Sequence, residues 1–160
     1  NAAIPNLSVL LLGHGCERVA EKLQVDVRIV GLVRQDAEMA ECYRAADLTL
    51  VPSEFETFGC VAAESQLCGT PVIAFACGGL PEVVADQETG LLVPAYEEPA
   101  LRAPLRQLYH DTAQRLQMGI AAARRASNLF NIETIATQYL QHYRELISRS
   151  NASTVIGRQR

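Results

Sequence analysis

The chain lacks any apolar run of membrane-spanning length, and its first residues carry neither the basic patch nor the apolar core of a signal peptide. These absences predict a cytoplasmic protein, with any contact at the inner face of a membrane left to other parts of a longer chain. A basic excess is missing too. Lys and Arg number 14 against 18 acids, well mixed, for a formal net charge of -4. That balance lacks the footprint nucleic-acid binding requires. Cys16, Cys42, Cys60, Cys68 and Cys77 include no Cys-x-x-Cys pair and sit mostly in apolar segments. They predict reduced core residues rather than a zinc site. With no low complexity and no internal repeat, 160 residues of 49% hydrophobic content predict one compact domain.

What is present is an alternation of strand and helix signals. Ser8 to Leu12 is a continuous apolar strand ending in Gly13-His14-Gly15, followed by a short helix from Cys16 to about Leu23. Val25 to Val30 predicts a second strand, Asp36 to Ala46 a helix, and Leu48 to Val51 a third strand. A helix over Phe58 to Cys68 is stopped by Gly69, and Pro71 opens the strand Val72 to Ala76. Pro81 suits a first helical turn, and Leu91 to Val93 is a last short strand. Strands apolar on both faces, alternating with helices, predict an α/β domain with a doubly wound, Rossmann-like parallel sheet.

Three helices are expected to follow, at Glu98 to His110, Thr112 to Ala126 and Ile132 to Ile147, the first interrupted by Pro104. The domain is read as residues 1–147, and residues 148–160 as a polar, frayed tail. Ile132, Ile135, Ala136, Tyr139, Leu140, Tyr143, Leu146 and Ile147 give the last helix a broad apolar face. That face either packs on its own sheet or, left open, drives self-association.

Ligands of such sheets bind at the carboxyl ends of the strands. Two acids stand on that edge, Glu56 in a loop and Glu64 two turns into the following helix. The helical neighbours of Glu64 are Cys60, Val61, Leu67 and Cys68, so a partly buried carboxylate with a partner is expected. The partner is either a ligand or an internal cation, Arg34 or Arg18. With Thr57 as N-cap, Cys60 occupies the capping-box position and cannot serve there, so the turn at Phe58-Gly59-Cys60 keeps free N–H groups for an anion or a hydroxylated ligand. Gly13-x-Gly15 invites a dinucleotide reading, but Arg18 stands at the third glycine position and no acid ends the second strand. Both departures argue against NAD.

Pro52-Ser53, Glu56-x7-Glu64, Cys68-Gly69-Thr70-Pro71-Val72, Gly78-Gly79-Leu80-Pro81-Glu82 and Thr89-Gly90-Leu91-Leu92-Val93 follow one another in fixed order, with Ala45-Ala46-Asp47 before them. This ordered set, from about Leu7 to Ile147, resembles glycosyltransferase family 4, the retaining group 1 transferases of GT-B fold. The resemblance implies the C-terminal, donor-binding half of that fold, with a nucleotide-sugar as substrate and no metal or cofactor. It implies that Glu64 holds the ribose hydroxyls. It implies too that Glu56 contacts the donor sugar as the candidate catalytic residue, and that Thr57, Phe58, Gly59 and Cys60 line the sugar and diphosphate. Leu32, Val33 and Arg34 stand where the family holds the base, and Gly13 lies on the same edge.

The family's usual first strand, its basic loop and its acceptor domain are not in this sequence. The expected reading is therefore part of a longer glycosyltransferase, inactive alone, acting in polysaccharide, lipopolysaccharide or glycolipid assembly. The alternatives are a nucleotide-sugar epimerase or phosphorylase of GT-B architecture, and a relic that only binds nucleotide or protein.

Overall fold

The computed structural model describes residues 4–156, with side chains through residue 149. Strands and helices alternate as β1 (Ser8–Leu12), α1 (Cys16–Ala20), β2 (Asp26–Gly31), α2 (Asp36–Ala45), β3 (Thr49–Val51), α3 (Cys60–Leu67), β4 (Val72–Phe75), the single turn α4 (Leu80–Val83) and β5 (Gly90–Val93). A 3-10 turn (Glu98–Leu101) then leads into α5 (Arg102–His110), α6 (Thr112–Leu129) and α7 (Ile132–Ile156). Every pairing among the described strands is parallel. Among the described residues no helix is long and apolar enough to cross a membrane.

The core is centred on β4, where Val72, Ile73, Ala74 and Phe75 are all buried. A strand buried on both faces must read as an unbroken apolar run, and this one does. On one side Val51, Ala62, Ala63, Leu80, Val83 and Val84 pack against Val72 and Ala74. On the other, Ile73 and Leu91 meet Leu108 and Met118 from the late helices. Each fully buried Val or Phe here contributes about 1.5–3 kcal/mol.

The sheet is in two parts, β1-β2 and β3-β4-β5, rather than one continuous ladder. Among the described residues β1 and β3 are therefore each paired on one side only. Apolar side chains remain open on both parts: Ile29 on β2 and Leu50 on β3 are each more than two-fifths exposed.

The late helices differ in detail from expectation. Pro104 does not break α5 but falls in its first turn, where a missing N–H costs nothing. Asp111 caps α6, its carboxylate accepting from the Gln114 amide at 2.8 Å. Arg115 reaches back from α6 to the Leu108 carbonyl at 2.6 Å and pairs with Asp47 at 3.0 Å, which gives the acid of Ala45-Ala46-Asp47 a structural partner. The last helix runs on to Ile156, so the segment read as a tail from Ser148 is helical that far. No Gly or Pro occurs between Asn131 and Gly157 to stop it. Residues 157–160, the end of that expected tail, lie outside the described residues. The apolar face of α7 is open, with Tyr139, Leu140, Tyr143, Leu146 and Ile147 all exposed rather than packed on the sheet.

One buried polar group stands out. Gln66 on α3 is fully buried; its Nε2 donates to the carbonyls of Ala62 and Val83 at 3.3 and 3.1 Å, while its Oε1 has no partner. The Val83 carbonyl also accepts from Arg125, so removing the amide would strand no acceptor there. A buried orphan oxygen costs about 1–3 kcal/mol. Gln66→Met, similar in shape, is expected to leave the urea midpoint unchanged or raise it. A loss above about 1 kcal/mol would contradict this account.

Candidate donor-binding site

The loop from Pro52 to Gly59 joins β3 to α3 and carries Glu56. Its backbone is held from below by the turn after β4. The Gly79 amide donates to the Glu56 carbonyl at 3.1 Å, and the Cys77 thiol donates to the Ser53 carbonyl at 3.0 Å. Gly78 has a φ of +50°, and a Cβ there would overlap the Glu56 carbonyl; one on Gly79 would overlap Thr57 and Phe58 backbone. The pair Gly78-Gly79 is thus required by close approach as well as by conformation. Glu56 itself is half-buried, Thr57 and Phe58 are exposed, and Phe58 packs edge-on against Phe130 at 5.5 Å.

Thr57 is not the N-cap. That position belongs to Gly59, left-handed at a φ of +101°, with no side-chain cap. The reversal at Gly59 delays the helix to Cys60, and the Ala63 amide is the one that bonds back to Gly59 O, at 3.0 Å. The amides of Cys60, Val61 and Ala62 are therefore the uncapped donors of the first turn, at the positive end of the helix. Such a terminus favours an anion.

Glu64 is exposed, against the expected partial burial. The stripe around it is open as well, with Val61 45% and Leu67 44% exposed. The core face of α3 is instead Ala62, Ala63, Ser65 and Gln66. Small and polar residues fill that side because β3 and β4 approach closely: Ser65 Oγ donates to the Thr70 carbonyl at 2.9 Å and accepts from the Thr49 hydroxyl at 2.8 Å. Glu64 does have a partner, but neither Arg34 nor Arg18. The phenol of Tyr43 on α2 donates to its Oε2 at 3.0 Å. Burial, then the hydrogen bond to Glu64 and its charge, push the Tyr43 phenol well above its usual pKa, so it remains a protonated donor at neutral pH. Burial pushes the neighbouring Cys68 thiol up too, with Arg44 opposing.

The remaining expected residues form a second group. The Gly13 amide donates to the Gly31 carbonyl at 2.7 Å, which ties the loop after β1 to the one after β2. In the latter, Leu32 and Arg34 are exposed and Val33 is half-buried. The Tyr43 bond links the two groups through their helices, since α2 follows the β2 loop and α3 follows the β3 loop. Of the five cysteines only Cys16 is buried, and Cys60 is exposed at the start of α3, a correction to the all-core expectation. Sequence reasoning missed Tyr43 and the clamping role of the glycine pair, because both act on residues 21 or more positions away.

With this geometry in view, comparison with known proteins is specific. Residues 3–125 match the family described as glycosyl transferases group 1, and the chain belongs to that family. D-inositol 3-phosphate glycosyltransferase of Corynebacterium efficiens is 46% identical over 151 residues, covering 88% of this chain and 35% of that protein. Sucrose-phosphate synthase from Thermosynechococcus elongatus superposes with a TM-score of 0.78 at 36% identity, over 91% of this chain and 40% of the other. Anabaena HepE in complex with UDP gives 0.78 at 26% identity, over 89% and 42%; its complex with UDP-glucose gives 0.75. The fold is a Rossmann-like part of a GT-B glycosyltransferase, and the chain spans about a third of the curated relative's length.

The glycine clamp yields a stability prediction. Gly78→Ala must move the Glu56 carbonyl and strain a left-handed φ, so it is expected to cost about 2–4 kcal/mol in urea unfolding. A variant within about 0.5 kcal/mol of the parent would show that the close approach carries no load.

Proposed function

We propose that this chain is the donor-binding half of a retaining glycosyltransferase that moves a sugar from a nucleotide-sugar to a saccharide or lipid-linked acceptor. The observation that carries the reading is the pairing of an uncapped α3 N-terminus with two glutamates at the same sheet edge. A diphosphate would lie on the amides of Cys60, Val61 and Ala62, with Gly59 and Thr57 beside it. Glu64, one helical turn on, would take the ribose hydroxyls. Glu56, on the clamped loop, would meet the donor sugar and serve as the catalytic carboxylate. Leu32, Val33 and Arg34 would border the base, and Gly13 would let the backbone approach the ligand.

UDP and UDP-glucose in the HepE complexes are consistent with a nucleotide-sugar in a domain of this shape. The divided sheet supports a missing element. Numbered as the second to sixth strands of the doubly wound order 3-2-1-4-5-6, β1 to β5 leave the first place, between β1 and β3, unfilled. In that reading the strand, its basic loop and the acceptor domain belong to the rest of a longer, cytoplasmic protein.

The chemistry is a displacement at the anomeric carbon. The bond from that carbon to the diphosphate oxygen breaks, a bond to an acceptor hydroxyl forms on the same face, and the hydroxyl proton passes to the leaving phosphate. Negative charge grows on the diphosphate as this proceeds. Fixed amides at a helix terminus stabilise it without a metal and without reorganising. Glu56 orients the sugar and opposes positive charge developing on its ring.

In the full-length protein, Glu56→Gln is expected to lower turnover roughly 100-fold while UDP affinity changes little. Turnover within a few-fold of the parent would remove Glu56 from the reaction. Sugar isomerisation, or cleavage that depends on added phosphate, would replace the transferase reading with the epimerase or phosphorylase one.

A further inference from the structure

We infer that Tyr43 is a positioning residue for the nucleotide, its phenol fixing the Glu64 carboxylate in the orientation that receives the ribose diol. The inference rests on the donor-site reading above and extends it to a residue on another helix.

Tyr43 is 8% exposed, whereas Glu64, to which it donates at 3.0 Å, stands on the open face of α3. An exposed carboxylate is satisfied by water and needs no buried partner for stability. A hydrogen bond from a buried, anchored phenol to such a group therefore mainly selects its rotamer. Tyr43 is itself held at the backbone: the Thr70 hydroxyl donates to its carbonyl at 2.7 Å, and the Ala46 amide donates to the same oxygen at 3.2 Å. Thr70 belongs to the Cys68-Gly69-Thr70-Pro71 turn that closes α3. Tyr43 thus bridges, from its backbone carbonyl to its phenol, the turn at the end of α3 and a carboxylate near its middle.

The stereochemistry suits a diol. The phenol engages Oε2, leaving Oε1 and the remaining lone pair of Oε2 to accept from two adjacent hydroxyls. A carboxylate fixed in advance loses less freedom when the ligand arrives, which appears as affinity for ligands that carry those hydroxyls and as nothing for those that lack them. This separates positioning from packing. Loss of packing would weaken every nucleotide alike.

The test compares UDP with 2′,3′-dideoxy-UDP by calorimetry on the full-length protein and its variants. Tyr43→Phe, which removes one oxygen, is expected to weaken UDP roughly tenfold and leave the dideoxy analogue unchanged, so that the preference between them falls by the same factor. Glu64→Ala is expected to lose at least as much, and Tyr43→Phe added to Glu64→Ala should lose nothing more. An equal loss for both nucleotides, or no loss for either, while Glu64→Ala still abolishes the preference, overturns the role of Tyr43 and leaves the ribose reading standing. A preference that survives Glu64→Ala overturns the ribose reading, and the inference falls with it.

Discussion

The loop between β3 and α3 has no regular structure of its own, yet it carries a carboxylate and feeds the open end of a helix. Its conformation is imposed by the turn after β4, where Gly79 donates to Glu56 and Gly78 lies so close beneath the Glu56 carbonyl that no side chain fits. That contact joins the loop to the most buried strand of the domain, so the position of Glu56 is inherited from the core rather than from the loop. Binding residues on loops gain precision in just this way, from a rigid scaffold beneath them. The left-handed Gly59 follows directly. By turning the chain there, it points α3 at the same edge and leaves the first-turn amides uncapped.

The same helix divides its faces by chemistry. Ala62, Ala63, Ser65 and Gln66 allow it to lie close on β3 and β4, while Cys60, Val61, Glu64 and Leu67 look outward. Half-exposed apolar residues flanking a carboxylate are an unusual surface for a solvated helix. They fit a wall that a ligand covers, with polar atoms placed to fix orientation. At the helix start the backbone amides supply the positive end, since the helix carries no Lys or Arg and its first turn no acid to oppose them.

Much of the fold was legible in the residues. The unbroken apolar runs at Ser8–Leu12 and Val72–Phe75, the stop at Gly69-Thr70-Pro71 and the alternation of strand and helix gave the α/β class and most element positions to within a residue or two. Gly78 was recognised as loop, but its reason, the carbonyl of Glu56 lying against it, is a tertiary fact. The burial of Glu64 was misjudged because apolar neighbours on a helix were taken to mean core, whereas the core face here is built from Ala, Ser and Gln to permit close packing. Tyr43 was invisible for a related reason, since its hydrogen bond spans 21 positions and two helices. The division of the sheet, likewise, depends on which strands pair and not on which segments are strands.

The central claim is that a nucleoside diphosphate lies at the N-terminus of α3. Amide NMR spectra of this chain titrated with UDP test it most directly, because each backbone N–H reports separately. The account predicts that the largest shifts fall on Gly59, Cys60, Val61 and Ala62, with smaller ones across Leu32, Val33 and Arg34. Shifts confined to the outer faces of α5 and α6, or none at these amides at saturating nucleotide, would contradict it.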